Sequence, residues 1–339
     1  MRVVFDQALI LRTRPLQAAA IAACCCVAAV GCGFGEGERA EGDAHLAVTR
    51  DFGSKRLVEA TSERPSESET VVRMLDRVAE IETSYGGNFV DTIDGLSGST
   101  ASGGDSDWFF FVNGYFSEVG AGEARVTGGD EVWWDYHRWE GTYETPAVVG
   151  SWPQPFLAAV DPVIGCATRL RLCDRIAARL RAQGVEPKIA SDGYGANQLE
   201  EGTVRILVGQ WSRLSDQPAA AKLAGPTSRS GVYARFEPPD GSTPSLDRRA
   251  SDPDRATDSH LLVFDDAGRL VSNYGEGVGL IAATADLGGP ATWLVTGLGK
   301  AGVVAAVDAF GPDLRDKFAI LVEPGESKGI GLPMIEPGP

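Results

Sequence analysis

The dipeptide Asn113-Gly114 restricts how this chain can fold more than any other feature of the sequence. It stands between two apolar runs, "WFFFV" before it and "YF" after it. Both central positions of a two-residue hairpin turn need a positive φ angle, which Asn and Gly adopt more readily than other residues. The sequence therefore predicts an antiparallel hairpin. Because every residue from Trp108 to Val112 is apolar, both faces of its first strand must be covered.

A second strand, predicted over residues 131–139, carries two different faces. Val132, Trp134 and Tyr136 share one face, which we interpret as core. The other face mixes aromatic and polar groups, which is typical of a recognition surface. An alternative of equal weight is that a second domain or the segment after residue 140 covers this face. The residues predicted to bind a ligand are Trp108, Phe110, Tyr115, Trp133, Asp135, His137 and Trp139.

One helix is expected to cover the apolar face. Ser66 and Glu69 have the spacing of a capping box. An apolar stripe at helical spacing follows, formed by Val71, Leu75, Val78 and Ile81. We predict a helix over residues 68–82. With a hairpin around Phe52-Gly53-Ser54 and the strands above, residues 45–145 form a small α+β unit with one helix on a mixed sheet.

The N-terminal segment has the character of an export signal. Three arginines precede an apolar run of sixteen residues, "LQAAAIAACCCVAAVG", which is too short to span a bilayer. The run ends in Ala29-Val30-Gly31-Cys32, similar to the lipobox of bacterial lipoproteins. We predict a signal peptide over residues 1–31, lipidation at Cys32 and a flexible tether over residues 32–44. The alternatives are lipidation at Cys24 and a plain signal peptide. The protein is expected to be extracytoplasmic and anchored to the bacterial cell membrane.

Two cysteines, Cys166 and Cys173, remain outside the export segment. In an oxidising compartment such a pair is a disulfide candidate. The sequence around them predicts a strand ending near Cys166 and a helix starting near Leu170, a geometry that permits a bridge. Two buried thiols are the alternative. The spacing is not that of a zinc site.

Residues 150–330 alternate predicted strands and helices, which indicates a second domain of α/β or α+β type. Within it, Gly297-Leu298-Gly299-Lys300-Ala301-Gly302 has the form of a dinucleotide-binding motif. Too little chain follows it to complete a nucleotide-binding half. We therefore interpret it as a tight turn between a strand and a helix.

Neither catalysis nor a cofactor is predicted. The three histidines are far apart in sequence, and no nucleophile or metal-binding motif is present. We expect a protein that is not an enzyme. The formal net charge of −16 argues against nucleic acid as a partner.

The residues after position 45 also resemble a known family. Ile93-Asp94-Gly95, the segment from Trp108 to Gly114, Gly120-Ala121 and the strand beginning Gly129-Asp130 are similar to the transcobalamin-like C-terminal domain family. The resemblance covers about residues 45–140. It implies a β-grasp-like domain of secreted and lipid-anchored bacterial proteins, whose relatives include the C-terminal domain of corrinoid carriers. No family resemblance is evident in residues 150–339.

Together these features predict a lipid-anchored extracytoplasmic binding protein. Its aromatic surface would bind a small molecule, corrinoid-like in one version of the hypothesis, or a peptide. The alternative is a cell-envelope interaction protein that docks another protein and has no small ligand.

Overall fold

The computed structural model describes residues 38–99, 104–159, 161–190, 203–238 and 259–335. The predicted signal peptide, Cys24 and Cys32 lie outside these ranges. From Arg39 onward the chain forms one compact unit. The protein has a mixed α+β fold. No described helix is long and apolar enough to cross a membrane.

The first part of the chain builds a five-stranded mixed sheet in the order β2-β1-β8-β6-β7. Strand β1 pairs parallel with β8, whereas β2, β6 and β7 are antiparallel to their neighbours. The predicted hairpin at Asn113-Gly114 joins β6 and β7, and both turn residues have positive φ angles. The strands are β1 (Ala44–Arg50), β2 (Lys55–Ser62), β6 (Ser106–Val112), β7 (Tyr115–Phe116) and β8 (Glu131–Arg138).

The helix that packs on this sheet is shorter than predicted. Helix α1 spans Val71–Asp76, and its N-cap is Thr70 rather than Ser66. Val78 is exposed, and Ile81 begins a strand. The helix ends early because the chain after it pairs as a hairpin, which Asp94 anchors through a 2.8 Å bond from the amide of Glu80. That hairpin belongs to a three-stranded sheet of β3 (Ile81–Ser84), β4 (Phe89–Ile93) and β5 (Leu96–Ser97).

The second part of the chain forms a seven-stranded mixed sheet in the order β10-β9-β11-β16-β15-β17-β18. The first four of these strands are parallel, and the last three are antiparallel to their neighbours. The strands are β9 (Val163–Ala167), β10 (Lys188–Ile189), β11 (Arg205–Gln210), β15 (Gly279–Thr284), β16 (Thr292–Gly297), β17 (Ala319–Val322) and β18 (Ile330–Leu332).

A second three-stranded antiparallel sheet and five further helices complete the described fold. The sheet contains β12 (Ala234–Glu237), β13 (His260–Phe264) and β14 (Leu270–Tyr274), with a turn at Ala267-Gly268 joining its last two strands. The helices are α2 (Leu170–Arg181), α3 (Trp211–Leu214), α4 (Pro218–Ala221), α5 (Thr227–Ser230) and α6 (Gly299–Ala309).

The glycines of the Gly297–Gly302 motif serve packing between strand and helix. A Cβ atom at either Gly297 or Gly302 would collide with the carbonyl oxygen of Val278, and Gly299 has a φ angle of +70°. These positions allow α6 to lie close against β15 and β16. The interpretation of this motif as a tight turn agrees with that geometry.

Three hydrophobic clusters hold the layers together. The helix-side core lies between the five-stranded sheet and α1, and includes Leu46, Leu75 and Trp134. The outer core lies under α2 and α6, and includes Trp152 and Trp293. The central core contains Phe52, Phe111 and Trp133 from the first part of the chain. It also contains residues of β11, β13, β15 and β17, so both predicted domains contribute to it; their division remains a prediction.

The disulfide between Cys166 and Cys173 is formed, with 6.0 Å between the Cα atoms. It joins β9 to α2, as the sequence predicted. Cys173 is fully buried within the outer core.

Candidate functional site

The residues predicted to form one ligand surface lie on two opposite faces of the five-stranded sheet. Trp108 and Phe110 pair across the sheet with Tyr136 and Trp134 and belong to the helix-side core. Trp133 belongs to the central core. Since strand residues alternate between faces, these side chains cannot converge on one ligand. The prediction of a single shared surface is corrected on this point.

The remaining predicted residues occupy separate positions. The Tyr115 hydroxyl accepts a 3.2 Å hydrogen bond from the amide of Ala291, in the second part of the chain. Burial raises the pKa of this hydroxyl. Trp139, after the end of β8, packs edge-on against Tyr143 with ring centroids 5.7 Å apart. Neither residue belongs to the buried group around Asp135.

Asp135 is fully buried and accepts hydrogen bonds from four donors. The Thr49 hydroxyl donates at 2.5 Å, and the amides of Phe52 and Gly53 donate at 2.9 Å each. His137 Nδ1 lies 3.0 Å from the same carboxylate. We call these five residues the Asp135 network. A buried carboxylate with this many donors is well compensated for the loss of water.

The turn that supplies the two amides has an unusual backbone. Asp51, Phe52 and Gly53 all have positive φ angles, of 57°, 56° and 76°. Two consecutive non-glycine residues in this region store conformational strain. The bonds to Asp135 hold the turn in place. Asp51 and Phe52 carry only a weak signal in the sequence, because neither residue type favours this conformation as strongly as glycine does.

The strained turn places Phe52 inside the central core. Its ring lies 4.6 Å from that of His137, 5.2 Å from Tyr233 and 5.0 Å from Phe318. Phe318 also packs against Trp133 at 5.2 Å. The polar and aromatic face of β8 is therefore covered by the chain itself, which is the alternative that the sequence left open.

One end of this covered face reaches a cleft of about 180 Å³, which we call the His137 cleft. The His137 ring is 6% exposed and lies between the rings of Phe52 and Phe109. Its Nδ1 edge is turned toward the buried Asp135, which leaves the edge carrying Nε2 for the cleft. Within the described residues Nε2 makes no hydrogen bond. The cleft is lined by Asp51, Phe52, Ser106, Tyr136, His137, Arg138, Asp266 and Ile335.

The His137 cleft is rich in negative charge. Burial raises the pKa of Asp51; nearby Asp135 and Asp266 raise it further, whereas Arg50 lowers it. Arg138, the cation of the cleft, pairs with Asp105 at 2.5 Å, with Glu140 at 2.8 Å and with Asp266 at 3.9 Å. Asp51 lies 3.1 Å from Arg50, so two arginines are shared among four carboxylates and neutralise them only in part. A positively charged group would be stabilised there.

A second cleft, of about 60 Å³, lies at the Trp133 end of the same face, and its charges are mutually paired. Arg56 pairs with Asp316 and with Glu59, the latter at 2.6 Å. Arg315 reaches Glu131 at 3.3 Å, although burial raises the pKa of that carboxyl. These pairs connect the first and second parts of the chain. We therefore regard the His137 cleft, and not this one, as the candidate site.

The described residues contain no group of three or more His, Cys, Asp or Glu side chains arranged to hold a metal ion. A single histidine with two aspartates in one cleft favours hydrogen bonding and charge pairing instead. Sequence reasoning identified His137 and Asp135. It missed Thr49, Asp51 and Asp266, which are ordinary polar residues in turns and strand ends.

The fold and the cleft define a mixed α+β protein with a β-sheet domain near its N-terminus. Residues 68–138 match a family model described as a domain of unknown function (DUF4430). The match contains β3 to β8 and lies within residues 45–140, for which the sequence predicted a transcobalamin-like domain. Asp135 and His137 fall inside it, whereas Thr49, Asp51 and Asp266 do not.

A solved structure from Ruminococcus gnavus, provisionally described as a metal-binding protein, is also similar to part of the chain. The two sequences are 17% identical, and the match covers 29% of this chain and 98% of the other, with a TM-score of 0.23. No curated protein matches the chain.

Proposed function

We propose that this chain is a lipid-anchored extracytoplasmic binding protein, and that its ligand is a small organic cation held in the His137 cleft. The observation that carries the proposal is the lining of the cleft, in which the His137 ring lies together with the carboxylates of Asp51 and Asp266. The proposed role is binding without catalysis.

The chemistry of the cleft supports a cation. In the tautomer that donates Nδ1–H to Asp135, the His137 ring carries its lone pair on Nε2, which then acts as an acceptor. The carboxylates of Asp51 and Asp266 add further hydrogen-bond acceptors to the cleft. The rings of Phe52 and Tyr136, in the same lining, can stabilise a cation through their faces. A ligand with an ammonium or guanidinium group would satisfy these groups together.

Two observations support the proposed extracytoplasmic location. The sequence before residue 32 predicts export and lipidation at Cys32, with Cys24 as the alternative. The disulfide between Cys166 and Cys173 is typical of an oxidising compartment. The membrane would be a partner through the N-terminal lipid, and nucleic acid would not be one.

Calorimetric titration tests the proposal. We expect methylammonium, guanidinium or larger amines to bind, and neutral amides of equal size not to bind. His137→Phe keeps an aromatic ring but removes Nε2, and should weaken binding about tenfold. His260→Phe, at an exposed histidine outside the cleft lining, is the matched control. If no cation binds, or if His137→Phe binds unchanged, the proposal is wrong.

The transcobalamin-like resemblance predicts a more specific ligand, a corrinoid. A corrinoid is larger than the cleft, and the aromatic face that it would need is covered by the central core. Cobinamide should therefore be part of the same titration. Tight binding of cobinamide would show that the ligand is a corrinoid and not a small organic cation.

A cell-envelope interaction protein without a small ligand is the second candidate. It is favoured by Tyr85, which is 85% exposed, and by Phe89, both at the end of the β3–β4 hairpin. Exposed aromatic residues of this kind often anchor protein partners. Photocrosslinking from position 85 in intact cells tests it. A discrete protein adduct, together with no cation binding in calorimetry, would favour this candidate over the first.

A further inference from the structure

Helix α2 and the residue before it carry a concentration of positive charge in an acidic protein. Residues 169–181 contain five arginines and one acidic residue, Asp174. The whole chain has 31 lysines and arginines against 47 aspartates and glutamates. Net charge therefore does not describe this surface. The arginines are Arg169, Arg171, Arg175, Arg179 and Arg181.

Three of these arginines have partners within the protein. Arg175 forms an ion pair with Asp308, and Arg179 donates to the backbone carbonyls of Val307 and Asp308. Arg181 lies 3.1 Å from Glu186. Burial lowers the pKa of Arg179, and the neighbouring Arg175 lowers it further. The cluster is thus positive beyond what its partners neutralise.

The other two arginines, Arg169 and Arg171, are exposed and make no hydrogen bond or ion pair with the described residues. Between them stands Leu170, which is 60% exposed. Helix stability does not explain this arrangement, because no acidic residue lies in the first turn and positive charge is unfavourable there. Leu170 thus lies between two arginines that have no partner among the described residues.

The disulfide holds this group in place. Cys166 at the end of β9 is bonded to Cys173 in the first turns of α2, so the connection carrying Arg169, Leu170 and Arg171 is a closed loop. Restricting the loop before binding reduces the entropy that binding must remove. The basic and apolar groups are therefore presented together on a constrained segment.

We propose that Arg169, Leu170 and Arg171 form a contact surface for an anionic lipid bilayer. Charge complementarity identifies the partner, because guanidinium groups pair with lipid phosphates and an adjacent aliphatic side chain enters the interface. This contact is separate from the His137 cleft and from any lipid on Cys32. It would orient the protein on the membrane, although the chain as a whole is acidic.

Vesicle cosedimentation tests the proposal with the chain beginning at Arg39, which lacks both candidate lipidation cysteines and retains all three cores. We expect binding to vesicles of equal parts phosphatidylcholine and phosphatidylglycerol, and none to pure phosphatidylcholine. Replacing Arg169 and Arg171 by Gln should weaken binding about 25-fold, since each arginine near an anionic surface contributes about fivefold. Salt should weaken the binding of the unaltered chain.

The matched control replaces Arg229 and Lys328 by Gln, which removes the same charge from two other exposed positions. Its binding should stay within about twofold of the unaltered chain. Leu170→Ala should weaken binding without changing its salt dependence. The proposal is wrong if the unaltered chain does not bind anionic vesicles, or if it binds an oligonucleotide in preference to them. It is also wrong if the control variant loses as much binding as the variant with Gln at positions 169 and 171.

Discussion

The two faces of strand β8 are both buried, yet they are stabilised in different ways. Val132, Trp134 and Tyr136 pack in the helix-side core, where contacts are almost entirely apolar. The indole Nε1 of Trp134 has no hydrogen-bond partner in the described residues. On the opposite face, Asp135 lies at the centre of a hydrogen-bonded network inside the central core. One face depends on hydrophobic contact, and the other also depends on a buried carboxyl group that is hydrogen-bonded to several donors.

This difference shows why polarity is a poor guide to exposure at this strand. Asp135 and His137 indicated an open surface because charged residues are rarely fully buried without partners. Their partners exist, but they come from the β1–β2 turn, more than eighty positions earlier in the chain. A local pattern cannot reveal a partner at that distance.

The largest expected effect comes from replacing the central acceptor. Asp135→Asn keeps the shape of the side chain but puts an amide donor against donors from Thr49, Phe52, Gly53 and His137. We expect the free energy of unfolding to fall by about 3–5 kcal/mol, as measured by urea denaturation. Asp105→Asn, which affects an exposed pair with Arg138, should lower it by less than about 1 kcal/mol. Equal losses in the two variants would contradict this account.

A matched pair of tryptophans isolates the hydrogen bond from the packing. Trp133 and Trp134 are each 2% exposed, but only Trp133 Nε1 has a described partner, the Thr49 hydroxyl at 2.7 Å. Replacing either residue by Phe removes a similar volume. Trp133→Phe should therefore be less stable than Trp134→Phe by about 1 kcal/mol. Thermal unfolding of the two proteins side by side measures the difference, and the reverse order would refute the comparison.

The smallest effect is expected at Asp51, on the rim of the network. Its folded pKa is raised, mainly by burial, so the folded state holds a proton more tightly than the unfolded state does. The stabilisation from that proton is complete below the unfolded pKa and is lost as the pH rises through the folded pKa. Asp51→Asn, which does not titrate and tolerates the positive φ angle, should thus stabilise the protein at neutral pH.

The gain should be less than about 1 kcal/mol, because Asp51 is only half-buried. It should disappear at acidic pH, where the aspartate of the unaltered protein is protonated. Urea denaturation at several pH values measures both quantities. A variant that is less stable at neutral pH would show that the ion pair with Arg50 outweighs burial.

Local features of the fold could be predicted because their causes are local. The turns at Asn113-Gly114 and Phe52-Gly53, the disulfide of Cys166 with Cys173 and the helix after Gly299 all depend on neighbouring residues. The end of α1 could not be predicted from its apolar stripe. Ile81 suits a helix and a strand equally well, and the pairing with β4 decides between them.

The candidate site, too, could be predicted only where its causes are local. Alternation along β8 correctly placed Asp135 and His137 on one face with Trp133. It could not show that Phe318 covers that face, or that Asp51 and Asp266 join the cleft. Those contacts join segments far apart in sequence, and no periodic pattern records them.

The pairing of Arg56 with Asp316 joins residues 260 positions apart, beside the place where Phe52 meets Phe318. A chain synthesised or exported from its N-terminus completes the five-stranded sheet long before Phe318 is available. During that interval Phe52, Phe111 and Trp133 lack their contacts with Phe318, so an incomplete chain exposes more apolar surface than the complete one. We expect the arrival of the last segment to be the step that removes this aggregation-prone surface. A nascent chain ending before residue 310 should need a holding chaperone that the full-length protein does not need.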